Sequence, residues 1–316
     1  MDAFVTHHLK GVSRTYALLI PMLPAGFSDA VGLAYLLMRI VDTIEDAPTL
    51  PDELRRACLC ELDGILLRGE AATPVSLPTR LGELAAEREL MTQTPDVLRR
   101  VAALDPQYAA SARTCARQMI AGVQEMMDRA ATRNMPYPAI QDAAEMRRYC
   151  YFVAGVVGEM LCEMMAHLLR QPGLLKLREL AVELGIGLQL VNILKDALKD
   201  STHGRRYLPC TIEGQVSPRE VYRLALAEAR NSLQVGTEFV LALPATAWQL
   251  RSFCGLPIAW GAMTLARAEQ NESAAKVGRG AIMASIERFT ALARDDDGLR
   301  KWLSSLITPQ SSQSMA

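Results

Sequence analysis

Residues 27–46 read FSDAVGLAYLLMRIVDTIED and begin with an apolar run that recurs at helical spacing. Its C-terminal end carries Asp42, Glu45 and Asp46, which are related as i, i+3 and i+4 and therefore share one helix face. Arg39 lies on that face one turn earlier, and Tyr35 lies a further turn back. The stretch therefore predicts a long helix whose C-terminal end carries three carboxylates and one arginine on the same face.

This patch has two possible explanations. Carboxylate oxygens are the donors that Mg²⁺ prefers, and Mg²⁺ commonly joins one or two carboxylates to phosphate oxygens, so a diphosphate site is one interpretation. A solvated helix end is the other. Acids at a helix C-terminus oppose the macrodipole, which makes the cluster unfavourable without a cation. The spacing of this motif alone leaves both interpretations open.

A second polar ridge lies within residues 189–200, QLVNILKDALKD. Asn192, Asp196 and Asp200 recur at i+4 spacing. We predict that the buried faces of this helix are formed by Leu190, Val191, Ile193, Leu194 and Leu198. A polar stripe facing water explains this ridge by itself. Two such clusters in one helical chain instead favour a shared cationic ligand, because polar groups on a mostly buried helix are costly without a partner.

A third stretch, YCYFVAGVVG at residues 149–158, is nearly uncharged and holds Gly155 and Gly158 three residues apart. Glycine inside a helix costs roughly 1 kcal/mol relative to alanine, so something must compensate. Tight helix packing and the wall of a ligand cavity remain equally good explanations. Both this stretch and the apolar residues 253–266 are shorter than the ~18–20 residues of a membrane span, so we interpret them as buried helices.

Composition narrows the class of protein. The formal net charge is −1, half of the residues are hydrophobic and 5% are aromatic, so charge gives no indication of a nucleic-acid partner. The seven cysteines and four histidines lack metal-ligand spacing, and the pair His7-His8 is interpreted as a solvated N-terminal pair. No secretory signal or transmembrane segment is predicted. We expect a cytoplasmic protein in peripheral contact with the inner membrane face.

Helical periodicity recurs along the chain without strand alternation, and no linker divides it. We therefore predict an all-α protein with one domain over residues 1–307 and a frayed tail over 308–316. The predicted helices cover residues 12–22, 26–46, 51–68, 79–92, 106–131, 139–170, 175–201, 217–234, 246–269, 275–294 and 297–306.

Taken in chain order, these motifs resemble the squalene/phytoene synthase family of head-to-head prenyl transferases. The matching stretches are SRTY at 13–16, YLLMRIVDTIED at 35–46, YCYFVAGVVG at 149–158, residues 189–200 continuing to GRRYLP at 204–209, and, more weakly, KVGRG at 276–280. They span most of the chain, and the combination of both aspartate motifs with the Tyr-Cys stretch is specific.

The resemblance implies an isoprenoid-synthase helical fold with a central active-site cavity. It implies Mg²⁺ ligation by Asp42, Glu45, Asp46, Asn192, Asp196 and Asp200. It also implies catalytic roles for Tyr149, Arg39 and Tyr35, with Tyr149 acting in proton removal and ionisation. Substrate contacts fall to Ser13, Arg14, Tyr16, Gln189, Lys195, Lys199, Arg206, Tyr207, Lys276 and Arg279.

Two residues depart from the family pattern, which usually has Arg and Glu where this chain has Lys195 and Lys199. Lys199 follows Asp196 by three residues. A local ion pair with Asp196 explains it without a function, at a few tenths of a kcal/mol. Our hypothesis is that Lys199 contacts a diphosphate oxygen directly.

The resemblance implies condensation of two prenyl diphosphates through a cyclopropyl diphosphate. The form Asp-Thr-Ile-Glu-Asp favours farnesyl diphosphate as substrate, with NADPH as reductant and squalene as product. Phytoene or dehydrosqualene, formed without reduction, is the alternative. A non-catalytic relative in assembly or lipid binding, and a head-to-tail synthase or terpene cyclase, are weaker alternatives, because the aspartates and the Tyr149 stretch are retained.

Overall fold

Helices make up the regular structure of this computed structural model, which describes residues 1–47, 49–69, 78, 81–202, 204–212, 214, 217–269 and 277–308. Within those ranges there is no strand, and Ala139 and Arg206 form an isolated β-bridge. The all-α prediction is confirmed. The α-helices are α1 Ala3–Val12, α2 Tyr16–Leu19, α3 Phe27–Asp46, α4 Asp52–Arg68, α5 Ala85–Thr92, α6 Thr94–Ala102, α7 Pro106–Thr132, α8 Ala143–Cys150, α9 Val156–Leu169, α10 Arg178–Thr202, α11 Pro218–Ala242, α12 Trp248–Glu269, α13 Arg279–Leu292 and α14 Asp296–Ile307.

Two helices were not predicted. Helix α1 begins after Asp2, whose carboxylate accepts from the Phe4 N–H, and it ends where a helix was expected to begin. Helix α6 begins at Thr94-Pro95-Asp96, where proline occupies the first turn. Only Gln93 separates α6 from the end of α5. Residues 79–80 of the predicted helix 79–92 lie outside the described residues, as do residues 309–316 of the predicted tail.

The chain divides into two compact units, residues 1–125 with 159–175 (unit 1) and residues 126–158 with 176–316 (unit 2). In unit 1, α3 carries fully buried apolar residues such as Leu36, Ile40 and Ile44. A Cβ added at Gly32 would clash with Val5 of α1, so the two helices approach closely there. The prediction of one domain, and of a central cavity, stays a prediction.

In unit 2, two glycines allow α10 to contact the segment 143–158. A Cβ at Gly158 would clash with the carbonyl oxygen of Ala181, and one at Gly185 would clash with the carbonyl oxygen of Ala154. Residues Tyr151–Gly155 form a π-helical turn, a local expansion that often marks functional segments. Of the two explanations for Gly158, the structure supports close packing.

The segment Ala143–Leu169 is longer than its apolar core had indicated. It runs for 27 residues with a mean hydropathy of 1.5 over its most apolar window, of which 44% is buried. By length and composition the whole segment passes the criterion for a membrane span, although its apolar core at 149–158 is shorter than one. The same length and composition also occur in core helices of soluble proteins.

A buried carboxylate fixes the start of α8. Glu145 accepts hydrogen bonds from Arg133 (2.9 Å), Arg129 (3.2 Å) and the Gln141 N–H (3.0 Å), and its side chain is 6% exposed. The Arg133 hydrogen bond is the main cause that lowers the pKa of Glu145 to about 2, from 4.5. These hydrogen bonds hold the first turn of α8, which lies one turn before Tyr149.

We expect Glu145→Gln to lower the free energy of unfolding by about 2–3 kcal/mol at pH 7. Because the folded-state pKa is depressed, this contribution is fully present above pH 4.5 and is lost as the pH falls through about 2. Urea titrations at pH 7 and pH 3 measure it. Glu220→Gln, which removes an exposed pair with Arg223, is the control and should change stability by less than about 0.5 kcal/mol. A pH-independent loss in Glu145→Gln would contradict the assignment.

Candidate active site

In unit 1, helix α3 brings Tyr35, Arg39 and Asp42 onto one face, as the spacing predicts. Arg39 Nη1 lies 3.8 Å from Asp42 Oδ2, and Arg39 Nη2 donates to Glu87 Oε1 at 2.5 Å. Arg39 Nε is buried and has no hydrogen-bond partner among the described residues. An unpaired buried donor calls for an explanation, and an anionic oxygen of a ligand supplies one.

Negative charge is in excess around Asp42. Burial is the main cause that raises the pKa of this carboxyl to about 7; Arg39 opposes the shift, and Asp46 and Glu87 add to it. The Asp42 side chain nevertheless keeps 35% of its surface exposed, so a ligand can reach it. Three carboxylates facing one guanidinium form a site that favours a further cation.

The other two predicted metal ligands on α3 differ in exposure. Asp46 is exposed, whereas Glu45 is only 5% exposed. The helix end itself is supported by Arg55, which donates from Nη2 to the carbonyl oxygens of Ala47 (2.9 Å) and Leu50 (3.1 Å). This cation at the C-terminus of α3 offsets part of the unfavourable dipole interaction of the acidic motif. Metal ligation by Glu45 stays a prediction.

The N-terminal candidates join the same group. Ser13 accepts from the Tyr16 N–H at 3.0 Å and hydrogen-bonds the Tyr35 side chain, and the rings of Tyr16 and Tyr35 are 5.3 Å apart. Burial is the main cause that raises the pKa of Tyr35, which keeps its phenol protonated. Arg14 is exposed. Unit 1 therefore brings Ser13 and Tyr16 to Tyr35, which lies on the same face of α3 as Arg39 and Asp42.

The second motif lies on α10 in unit 2. Asn192 is exposed, and Asp196 and Asp200 are partly exposed. Lys195 Nζ lies 3.3 Å from Asn192 Oδ1 and 3.2 Å from Asp196 Oδ2, so Lys195 contacts two members of this ridge. The amide oxygen of Asn192 and the carboxylate oxygens of Asp196 and Asp200 are thus accessible as metal ligands.

Burial along this helix is only partly as predicted. Leu190, Val191, Ile193 and Leu194 are buried, but Leu198 is 72% exposed, which corrects its assignment to a buried face. Helix α10 continues past the core at this point, so its last turns present the motif to solvent. Gln189 is partly exposed and Lys199 is exposed.

Tyr149 lies at the end of α8 with its ring 5.1 Å from that of Tyr207, and both side chains are buried. The structure therefore brings these two predicted residues together in unit 2. Arg206, which precedes Tyr207 in the chain, is exposed, and its backbone pairs with Ala139. Arg279 is exposed at the first residue of α13. Lys276 lies outside the described residues.

Sequence reasoning missed Glu87. This carboxylate is 7% exposed, binds Arg39 and also accepts from the Leu84 N–H at 3.0 Å, where α5 begins. Glu87 is therefore placed to hold the Arg39 guanidinium against α3. No local pattern identifies it, because it lies 48 residues from Arg39 and no Ser or Thr cap precedes it to form a capping box.

This all-helical arrangement, with a carboxylate–arginine cluster and a second aspartate ridge, defines an isoprenoid-synthase type of protein. A model described as squalene/phytoene synthase matches residues 9–282. The chain belongs to the squalene/phytoene synthase family.

Relatives and solved structures agree with this assignment. The chain is 30% identical over 222 residues to the squalene synthase of Ganoderma lucidum, a match covering 70% of this chain and 45% of that protein. It is 27% identical over 203 residues to human squalene synthase, a match covering 64% of this chain and 45% of that protein. The matched region thus spans less than half the length of these curated relatives.

The fold is shared with a solved structure described as "The complex structure of TcSQS with ligand, BPH1237", at a TM-score of 0.81 and 22% identity over 99% of this chain and 93% of that one. The crystal structure of a dehydrosqualene synthase in complex with a ligand gives a TM-score of 0.59 at 19% identity. That match covers 92% of this chain and 95% of the other. The predicted isoprenoid-synthase fold is confirmed.

Proposed function

We propose that this protein catalyses the head-to-head condensation of two prenyl diphosphates, with farnesyl diphosphate as substrate and squalene as product. The observation that carries the proposal is the retention of both aspartate motifs, with Tyr149 between them in the chain, inside the region that matches the family. A non-catalytic helical relative would not need these carboxylates.

The donor set in unit 1 suits Mg²⁺. Asp42 and Asp46 offer carboxylate oxygens, and their charge together with that of Glu87 outweighs the one guanidinium of Arg39. A bound cation offsets the repulsion from Asp46 and Glu87, which adds to the effect of burial in raising the pKa of Asp42. Asn192, Asp196 and Asp200 offer the same hard oxygen donors on α10, and we propose that they hold Mg²⁺ as well.

The diphosphate of a substrate would bind basic groups near each motif. In unit 1 these are the buried Nε and the Nη atoms of Arg39, with hydroxyl groups of Ser13 and Tyr35 close by. In unit 2, Lys195 lies against the α10 ridge, and Lys199 keeps its proposed contact with a diphosphate oxygen. Guanidinium and ammonium groups stabilise the charge that develops on the leaving oxygen.

When bound, Mg²⁺ supplies Lewis-acid stabilisation of the departing diphosphate. In the first step the C1–O bond of one substrate breaks, and the C2–C3 double bond of the second substrate forms a bond to the resulting cation. Loss of a proton then closes the cyclopropane ring and leaves one diphosphate on the intermediate. We assign this proton transfer to Tyr149 or to the released diphosphate. The buried pair Tyr149 and Tyr207 limits access of water to the cation.

In the second step the remaining diphosphate leaves and the carbon skeleton rearranges. Hydride delivery from NADPH then gives squalene, whereas proton loss gives dehydrosqualene or, from the longer substrate, phytoene. We favour squalene because of the Asp-Thr-Ile-Glu-Asp motif and the squalene synthases among the relatives. A cytoplasmic location with peripheral membrane contact accompanies this proposal, because the product is a hydrocarbon.

The test is incubation of the purified protein with farnesyl or geranylgeranyl diphosphate and Mg²⁺, with and without NADPH, followed by product analysis. Squalene formed only with NADPH is the expected result. Dehydrosqualene or phytoene formed without NADPH would replace the product assignment but keep the enzyme class. A protein that consumes neither substrate would contradict the proposal.

We expect Glu87→Gln to raise the KM for the prenyl diphosphate by about ten- to a hundredfold, because Arg39 loses the carboxylate that holds it. The inhibition constant of inorganic pyrophosphate should rise in parallel. Glu83→Gln, in the exposed loop before the same helix, is the matched control and should leave both unchanged. Unchanged pyrophosphate binding in a folded Glu87→Gln protein would show that Glu87 serves only the start of α5.

A further inference from the structure

Three potential metal ligands that belong to neither aspartate motif meet on the surface of unit 1. His7 and His8 lie on α1 and Glu89 lies on α5, and one donor atom from each lies within 4.8 Å of the other two. His7 Nε2 and Glu89 Oε1 are 2.8 Å apart. The interpretation of His7-His8 as a solvated pair is half wrong, because His8 is only 5% exposed.

The backbone around this group is held by close packing. A Cβ at Gly11 would lie 2.7 Å from the Cβ of Ala86, so α1 and α5 approach closely one turn away from the three side chains. The ring of His8 also packs edge-on against Phe4, with centroids 4.5 Å apart. The donors therefore come from two helices in direct contact, which limits the rearrangement needed to bind a ligand.

The chemistry of the group matches a transition-metal ion. Two imidazoles and one carboxylate are the ligands that Zn²⁺ takes in tetrahedral sites, with a water molecule completing the set. Ligands ~2.1 Å from a tetrahedral metal lie ~3.4 Å from one another, so the His7–Glu89 pair needs to open by only about 0.6 Å. Burial is the main cause that lowers the pKa of His8, which keeps this imidazole in the neutral form that binds metals.

Access and charge also bear on the site. The three side chains line an open surface cavity of about 600 Å³, which admits an ion without any opening of the fold. Lys10 lines the same cavity, and its charge opposes a cation, so affinity should be moderate rather than tight.

We propose that His7, His8 and Glu89 form a binding site for a divalent transition-metal ion of the Zn²⁺ class, which clasps α1 to α5. Binding replaces the hydrogen bond between His7 and Glu89 with two bonds to the metal. Since the metal binds the folded protein through both helices, it should also stabilise the fold. The proposal does not depend on the enzymatic activity.

The test is calorimetric titration of Zn²⁺ into protein without an affinity tag, in excess Mg²⁺ that occupies the aspartate motifs. One Zn²⁺ per chain is expected, with a rise in Tm. Glu89→Gln and His7→Ala change exposed side chains and should each weaken binding by more than about tenfold. His167→Ala is the matched control, since His167 also faces a carboxylate, Asp105 at 3.2 Å, and it should bind Zn²⁺ as the unaltered protein does.

Tetrahedral coordination can be read directly from the visible spectrum of Co²⁺ bound in place of Zn²⁺, and Glu89→Gln should abolish that spectrum. Zn²⁺ affinity unchanged in both Glu89→Gln and His7→Ala would overturn the proposal. So would the absence of Zn²⁺ binding to the unaltered protein, or binding that disappears only in Asp46→Asn.

Discussion

Asp46→Asn and Asp196→Asn should each lower turnover of prenyl diphosphate by at least about a thousandfold while leaving the helical content unchanged. Each change removes a charged oxygen donor from one proposed Mg²⁺ site and keeps the size of the side chain. The fold does not depend on burial of either group, because Asp46 is exposed and the Asp196 side chain is 45% exposed. Steady-state turnover and far-ultraviolet circular dichroism measure the two effects.

Asp297→Asn provides the control for these variants. Asp297 is an exposed carboxylate in the first turn of α14 and belongs to neither motif, so turnover should stay at the level of the unaltered protein. Near-normal turnover in Asp46→Asn or Asp196→Asn would remove that motif from the metal assignment.

Gly158→Ala should lower the free energy of unfolding by about 3 kcal/mol, the upper end of the usual cost of overpacking. The added methyl group would clash with the backbone carbonyl of Ala181, which cannot move away as the end of a flexible side chain can. The helices would have to separate where α10 contacts the segment that carries Tyr149. Urea titration measures the loss.

Gly64→Ala is the matched control, because Gly64 also lies inside a helix but its nearest neighbour is the end of the Arg68 side chain at 3.4 Å. There the substitution should raise stability by up to about 1 kcal/mol through helix propensity. If Gly158→Ala were as stable as Gly64→Ala, the close-packing explanation of Gly158 would be wrong.

Local periodicity predicted the two helices that carry the aspartate motifs, because both have long apolar faces. It missed α1 and α6, which are short and lie against other helices. The contact of Gly158 with Ala181 was one of two explanations left open, since spacing cannot say what a glycine faces.

The candidate site was predictable where its residues follow one another on a helix. Tyr35, Arg39 and Asp42 share a face because of their spacing, and that pattern is visible in the sequence. Glu87 was not predictable, because its contact with Arg39 depends on tertiary packing over 48 residues. The exposure of Leu198 was missed for a related reason: periodicity defines a face, but it does not tell where a helix leaves the core.

The most direct test of the proposed activity is the stoichiometry of the first half-reaction with farnesyl diphosphate and Mg²⁺, without NADPH. One diphosphate should be released for every two substrates consumed as a cyclopropyl diphosphate forms, and chelation of Mg²⁺ should stop the reaction. Release of one diphosphate per substrate without any carbon–carbon bond formation, or turnover that persists after chelation, would contradict it.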